Sequence, residues 1–395
     1  MRLKLSKDQS TALRKLNVVA LALTLSIGGQ FSFAETYSEK EIQSFLSSPY
    51  ASWGIDEKKL SNVGGISFLN SKTKIDPTIN LASALKIFKK NKDVIVGIVD
   101  TGINPEHEFI KNNLIDKNGK KASKNSFGFD FSVLDKKKRI KVSETPNDTH
   151  GHGTHVSAIA KSVFADVKLL PLKYYNPKAT GQENLNATLK ALRATIDANV
   201  DIINYSGGGP EECAEEKALL EEANKKGILV VAAAGNESSN IDGAKRNAYY
   251  PASYNMPNII SVAAYNFNGK DLELIQSSNY GYLSVDIAAP GFRILSASHN
   301  DKDVMTGTSQ ATAFVTGVAA LIKSMYPNLK PEEIKNILVA SAPEIETFKK
   351  KMVSSGKLDA HAALVKAGLL GKALLAERGL SKDKDESKRV SRKAN

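Results

Sequence analysis

Apolar positions along the chain follow two rhythms. Val94-Ile95-Val96-Gly97-Ile98-Val99 is an unbroken apolar run that stops at Asp100-Thr101-Gly102. A run of this length, closed by an acid and a glycine turn, reads as a strand buried on both faces with Asp100 at its carboxyl end. Strand-length runs at 167–175, 201–206, 228–234 and 258–264 then alternate with helical spacing at 183–199 and 211–226. This alternation predicts a three-layer α/β/α domain around a mostly parallel central sheet. In open sheets of this kind sites form outside the carboxyl ends of the strands, which directs attention to Asp100.

Two further helices are predicted to start on chemically suggestive residues. Thr149-His150-Gly151-His152-Gly153-Thr154-His155 opens one that continues through Val156, Ile159 and Val163. Gly307-Thr308-Ser309 crowds small residues before an apolar helical run reaching Tyr326. A serine there is ordinarily an N-cap, but the same helix end offers free N–H groups and a positive dipole to a forming oxyanion. Residues 81–90 read as a short amphipathic helix, and two or three helices follow Ser309 as far as about Gly371. The stretch 35–80 has scattered aromatics and no sustained period, so it is expected to be an extension or short pro-segment lying on the domain. With no repeat or linker inside it, 81–371 is expected to be one catalytic-size domain.

Composition changes this picture mainly at the ends. The apolar fraction of 42% and charged fraction of 24% are those of a globular protein. In residues 1–34, Arg2, Lys4, Lys7, Arg14 and Lys15 precede a short apolar run that ends at Ser32-Phe33-Ala34. This is the pattern of an export signal cut after Ala34, and the run is too short for a membrane span, so a secreted or periplasmic mature protein is expected. The two ends hold eight of the twelve surplus positive charges, and no basic stripe interleaved with aromatics remains between them. A nucleic-acid partner is therefore not expected. The mixed-charge tail 372–395 is predicted to be disordered. Cys213 is the only cysteine, which excludes an intramolecular disulfide, and it is expected to be a small buried hydrophobe.

Asp100, His152 and Ser309 are the residue types a serine hydrolase needs: an acid to orient a base, the base, and a nucleophile. Their chain order is one of those known for this triad. Two rival readings fail. His150, His152 and His155 lack the i, i+4 zinc pattern with an intervening glutamate, so no metal is expected there. Asp100-Thr101-Gly102 is also an aspartic-protease tripeptide, but no second copy supplies the partner carboxylate. His107, just beyond, is expected at the surface.

The segments Ile98-Val99-Asp100-Thr101-Gly102-Ile103, Gly151-His152-Gly153-Thr154-His155-Val156, Ala233-Ala234-Gly235-Asn236 and Gly307-Thr308-Ser309 resemble the signature blocks of subtilisin-like serine proteases. So do Asp201-Ile202-Ile203-Asn204-Tyr205-Ser206-Gly207-Gly208-Gly209-Pro210, Tyr250-Pro251-Ala252, Ser278-Asn279-Tyr280-Gly281 and Ala288-Ala289-Pro290-Gly291, all in family order. The resemblance implies an endopeptidase in which Ser309 attacks, His152 shuttles the proton and Asp100 holds the imidazole. It implies that Asn236 and the Ser309 N–H form the oxyanion hole. It places Ser206, Gly207 and Gly208 along a peptide substrate bound as an added strand, with Ala233, Ala234 and Gly235 opposite, Tyr249 at the base of the specificity pocket and Glu237 at its rim.

Departures from the family pattern are Gly207 for a larger apolar residue, which predicts a more open pocket wall, Gln310 for methionine, and Ala313 for proline. The chain between Ala160 and Leu170 is too short for the metal loop of calcium-binding relatives, and 35–80 is short for a full folding pro-domain. No cofactor is required for the chemistry, structural calcium elsewhere stays open, and a monomer is expected. The alternatives are an inactive peptide-binding or adhesion relative, and a peptide ligase using the same acyl-enzyme.

Overall fold

The computed structural model describes residues 36–63 and 76–377. The export segment at 1–34 and the charged tail beyond Glu377 lie outside the described residues, as does the middle of the 35–80 stretch. The strands are β1 (Ile95–Asp100), β2 (Phe129–Asp130), β3 (Lys168–Lys173), β4 (Ile202–Tyr205), β5 (Leu229–Ala233), β6 (Ile259–Phe267), β7 (Leu272–Leu274) and β8 (Ile287–Pro290). They form one sheet in the order β2-β3-β1-β4-β5-β6-β7, with β8 also on β6. Every pairing is parallel except β6 with β7. β9 (Ile294–Ser298) and β10 (Asp301–Met305) form a separate antiparallel hairpin.

The two-residue period of a strand sorts its side chains onto two faces. Val96, Ile98, Ile202, Leu229 and Val231 enter one apolar core, while Val99, Ile203, Val230 and Ala232 enter the other. Helices α4 (Gly181–Asp197) and α5 (Ala214–Lys225) cover the second core through Leu192, Ile196 and Leu220. The first lies under α3 (His152–Val163) and α6 (Thr308–Met325). Both faces are thus covered, which is why the strands read as continuous apolar runs. At the contact between α3 and α6, a β-carbon on Gly317 would lie 2.5 Å from Val163 Cβ. Only glycine lets these backbones approach so closely, and this places the two helix starts at one end of the sheet.

Boundaries moved for local reasons. α4 begins two residues before the apolar spacing because Thr180 and Glu183 form a capping box. β6 runs on to Phe267 because β7 folds back to pair with Tyr265 and Phe267. After α6 come α7 (Pro331–Ser341) and α8 (Ala360–Glu377); α8 runs past Gly371, so residues 372–377, expected to belong to a disordered tail, are helical. Among the described residues no helix is long and apolar enough to cross a membrane.

The early aromatic stretch is anchored in the first core. Short helices α1 (Glu39–Leu46) and α2 (Leu81–Ile87) flank Ala51, Trp53 and Ile55, which are buried with them. The Trp53 indole N–H donates to the Phe292 carbonyl at 2.9 Å, and the Tyr265 hydroxyl donates to the Pro77 carbonyl at 2.8 Å. Two expectations are corrected. His107 is buried, its Nε2 2.6 Å from the Asp301 carbonyl and its ring edge-on to Tyr50. Cys213 is half-buried at the cap of α5, with its backbone N–H and carbonyl both bonded to the Tyr254 hydroxyl.

Candidate active site

Asp100 ends β1, as read from the sequence, and is 3% exposed. Its Oδ1 accepts the Thr101 N–H at 2.7 Å and faces His152 Nδ1 at 2.7 Å. A carboxylate at Nδ1 holds the imidazole proton on that nitrogen, so Nε2 is left as the base. Burial alone would lower the His152 pKa, but the Asp100 charge and hydrogen bond, with Asp148 adding to them, hold it above the ordinary 6.5.

Asp148 was not singled out by sequence reasoning, yet it organises the turn into α3. One oxygen accepts the Thr101 hydroxyl at 3.0 Å and the His150 and Gly151 N–H groups at 2.9 and 2.8 Å. The other accepts the Thr154 N–H at 2.9 Å and its hydroxyl at 2.7 Å. These bonds outweigh burial and hold the Asp148 pKa below the usual carboxylate value. Gly151, at φ 97°, makes the left-handed step that an L side chain resists, and its neighbour His152 begins the helix. Thr101 closes the network by accepting the Gly153 N–H at 2.8 Å. An aspartate four residues before a predicted helix-start histidine is the capping signal that could have revealed this.

The other histidines go elsewhere. His155 is fully buried, with Nε2 3.0 Å from the Ile294 carbonyl, and burial lowers its pKa to about 4. His150 packs edge-on against His152 and Tyr175. Among the described residues no group of three or more His, Cys, Asp or Glu is placed to hold a metal ion.

Ser309 stands in the first turn of α6 and is 8% exposed. Its hydroxyl donates to the Ser206 carbonyl at 2.9 Å, and the Ser206 hydroxyl donates back to the Ser309 carbonyl at 3.2 Å. The structure thus joins Asp100 to His152 directly, whereas the Ser309 hydroxyl is hydrogen-bonded to the segment after β4. A buried relay fixes that segment: Asn204 Nδ2 donates to the Ser206 hydroxyl at 2.9 Å, and Thr316 Oγ1 donates to Asn204 Oδ1 at 2.8 Å.

Asn236 lies exposed just beyond β5. Its Oδ1 accepts the Thr308 N–H at 3.0 Å, and because a backbone N–H can only donate, the side-chain NH2 must be the atom turned away. The loop carrying Asn236 is clamped by Asn279, whose Nδ2 donates to the Ala234 carbonyl and to the Glu237 carboxylate at 2.9 and 2.6 Å. Ala233 and Ala234 are buried at the end of β5, and Glu237 is exposed. Gln310, beside the serine, is buried with its Nε2 unpaired.

The expected open wall at Gly207 is not found. A β-carbon there would lie 2.3 Å from the Tyr174 hydroxyl, so a tyrosine from the end of β3 occupies the space a larger residue 207 would take. Tyr249 lies half-buried against Gly208 and Gly235.

Comparison with known proteins identifies the family and the fold. The profile of a family described as the subtilase family matches residues 91–377. Subtilisin-like protease 2 of Plasmodium falciparum is 31% identical over 294 residues, covering 70% of this chain, while the chain spans only 21% of that protein's length. The major intracellular serine protease of Bacillus subtilis (strain 168) is 33% identical over 247 residues, which cover 60% of this chain and 70% of the relative. Among solved structures, a protease of Pseudoalteromonas arctica aligns with TM-score 0.58 at 24% identity over 73% of this chain and 94% of its own. A structure described as the basis of subtilase cytotoxin SubAB assembly aligns with TM-score 0.59 at 24% identity, over 75% and 96%. At that identity the structural likeness speaks to the fold.

Proposed function

The chain belongs to the subtilase family, and from that premise we propose that it is a serine endopeptidase working through an acyl-enzyme on Ser309. The observation that carries this reading is the buried Asp100 carboxylate 2.7 Å from His152 Nδ1, which leaves Nε2 free at the start of α3. A peptide lies extended along Ser206, Gly207 and Gly208, with Ala233, Ala234 and Gly235 across the cleft. As it binds, the Ser309 hydroxyl exchanges the Ser206 carbonyl for His152 Nε2, gives up its proton there and attacks the scissile carbonyl carbon. The developing oxyanion is held by the Asn236 NH2 and the Ser309 N–H at the positive end of α6. The imidazolium, stabilised by Asp100, then protonates the departing amine. Water, deprotonated by the same imidazole, releases the acyl group and regenerates the serine.

These groups supply nucleophile, base, orienting acid and oxyanion donors, so the reaction calls for no cofactor. On this reading the protein acts as a monomer on protein or peptide substrates, and it does so after export, which the basic, apolar and small-residue order of 1–34 supports. Labelling by a fluorophosphonate tests the mechanism, since it needs an activated serine and not just a groove. The expected result is labelling and casein cleavage by the protein and neither by Ser309→Ala. A folded protein that is not labelled would leave a peptide-binding relative as the answer.

A further inference from the structure

The part of the cleft that receives the residue supplying the scissile carbonyl is bounded by two bare backbones. The Ser206 to Gly208 segment passes Ser309, as the 2.9 Å hydrogen bond to the Ser206 carbonyl shows, and the Gly235 to Asn236 turn lies on the side where the carbonyl oxygen is held. In the proposed binding mode, with the peptide between these two segments, a side chain on the acylating residue enters between Gly208 and Gly235. That slot already has an occupant. A β-carbon on Gly208 would lie 2.5 Å from Tyr249 Cε1, and one on Gly235 would lie 2.9 Å from Tyr249 Cδ2. Cε1 and Cδ2 are on opposite edges of the ring, so the phenol spans the slot from wall to wall.

The ring is not free to withdraw by a backbone shift. Tyr249 N–H donates to the Ser253 hydroxyl at 3.0 Å and its carbonyl accepts the Ser253 N–H at 2.8 Å. The next residue, Tyr250, is paired with Gly209 through bonds of 2.7 and 3.0 Å. The neighbouring space beside Gly207 is closed by the Tyr174 hydroxyl. The slot is lined by glycines, yet it is full.

We propose that Tyr249 is a specificity-determining plug that restricts cleavage to bonds following glycine, alanine or serine. This rests on the serine-protease reading. A leucine, phenylalanine or lysine at the acylating residue meets the phenol where its γ and δ atoms would go. The Glu237 carboxylate, tethered to Asn279 at the mouth, offers a long cationic side chain attraction without giving it depth.

The test is a peptide-library digest by the full chain, with product ends read by mass spectrometry, alongside Ser309 labelling by peptidyl phosphonates carrying alanine or phenylalanine at the acylating position. The expected wild-type preference is for glycine, alanine and serine. Labelling by the alanine probe should be faster than by the phenylalanine probe by roughly 100-fold or more, the scale at which a pocket rejects excess volume. Tyr249→Phe should keep this profile because the ring remains, and Tyr249→Ala should shift cleavage to leucine, methionine and phenylalanine. Labelled wild-type protein that cuts best after phenylalanine, leucine, lysine or arginine would overturn the plug and leave the protease reading standing. So would an unchanged profile in an active Tyr249→Ala variant. Absence of labelling by every phosphonate would remove the protease reading and the plug with it.

Discussion

Toward His152 the cleft is held by carboxylates and the donors around them, and toward Tyr249 it is shaped by aromatic rings set against glycines. On the first side Asp100 and Asp148 order Thr101, Gly151, His152 and Thr154 through short polar bonds, so the base is positioned before any substrate arrives. On the second side the glycines at 207, 208 and 235 carry no side chain of their own, and Tyr174 and Tyr249 from distant segments decide what space is left. On the proposed function, the first side decides whether a bond is cut and the second decides which bond it is.

The largest break in this comparison is Ser309→Ala, which should lower kcat/KM by about 10⁴-fold or more, the general scale for loss of a triad nucleophile. Thermal unfolding should change little, since the serine is small and the Ser206 hydroxyl still donates to the carbonyl of residue 309. A variant retaining more than a few per cent of activity would mean that Ser309 is not the nucleophile.

Asp148→Asn probes the polar side without touching substrate. The amide replaces one acceptor oxygen by an NH2 that must face N–H donors, and unsatisfied buried donors cost about 1–3 kcal/mol each. We expect kcat to fall roughly 10- to 100-fold with KM little changed, the pattern of a misplaced base rather than a lost contact. Stability carries a second signature. Because the folded-state pKa of Asp148 is lowered, its contribution is present above the unfolded carboxylate value and is lost as pH falls through the folded one. Denaturant midpoints of the wild type should therefore drop more steeply than those of Asp148→Asn on acidification below about pH 4. Parallel acid limbs would show that Asp148 is not the group responsible.

The pH profile of activity is a milder test of the same side. His152 must be neutral to accept the serine proton, and its pKa is held above 6.5, so kcat/KM should rise with pH and level off only above that value. Its stability contribution runs the other way, complete below the unfolded imidazole pKa and lost as pH rises through the folded one. Asp148→Asn removes a charge that favours the imidazolium, and should move the activity limb to lower pH. An activity limb centred well below 6.5 in the wild type would mean that burial of the imidazole outweighs the Asp100 and Asp148 carboxylates together.

How much of this was legible in the chain divides along the same line. The apolar run ending at Asp100, the alternation of strands with helices and the helix starts near His152 and Ser309 are local patterns, and each element lies within a few residues of where its period places it. Asp148 lies within reach of the capping rule, because the N–H groups it accepts, from His150, Gly151 and Thr154, are local in the chain. His107 was misplaced because what buries it, the Asp301 carbonyl and the Tyr50 ring, comes from distant hairpin and arm segments. Gly207 failed for the same reason. A glycine in a sequence announces missing volume, but only the fold says whose side chain fills it.

The smallest effect sharpens that last point. A β-carbon on Gly207 would meet the Tyr174 hydroxyl at 2.3 Å, while its next contacts, Tyr174 Cζ and Tyr205 Cε2, lie at 3.4 and 3.5 Å, ordinary van der Waals separations. Gly207 is not among the glycines with positive φ, so alanine needs no backbone change there. Gly207→Ala alone should cost about 1–3 kcal/mol as the ring is forced aside. In a Tyr174→Phe background the oxygen is gone, and the same substitution should cost almost nothing. Urea unfolding of the two single variants and the double variant measures the coupling, expected to be about 1 kcal/mol or more in favour of the double variant. Strict additivity would mean that the Tyr174 hydroxyl does not oppose a side chain at 207, and the contrast between the two sides of the cleft would be weaker than drawn.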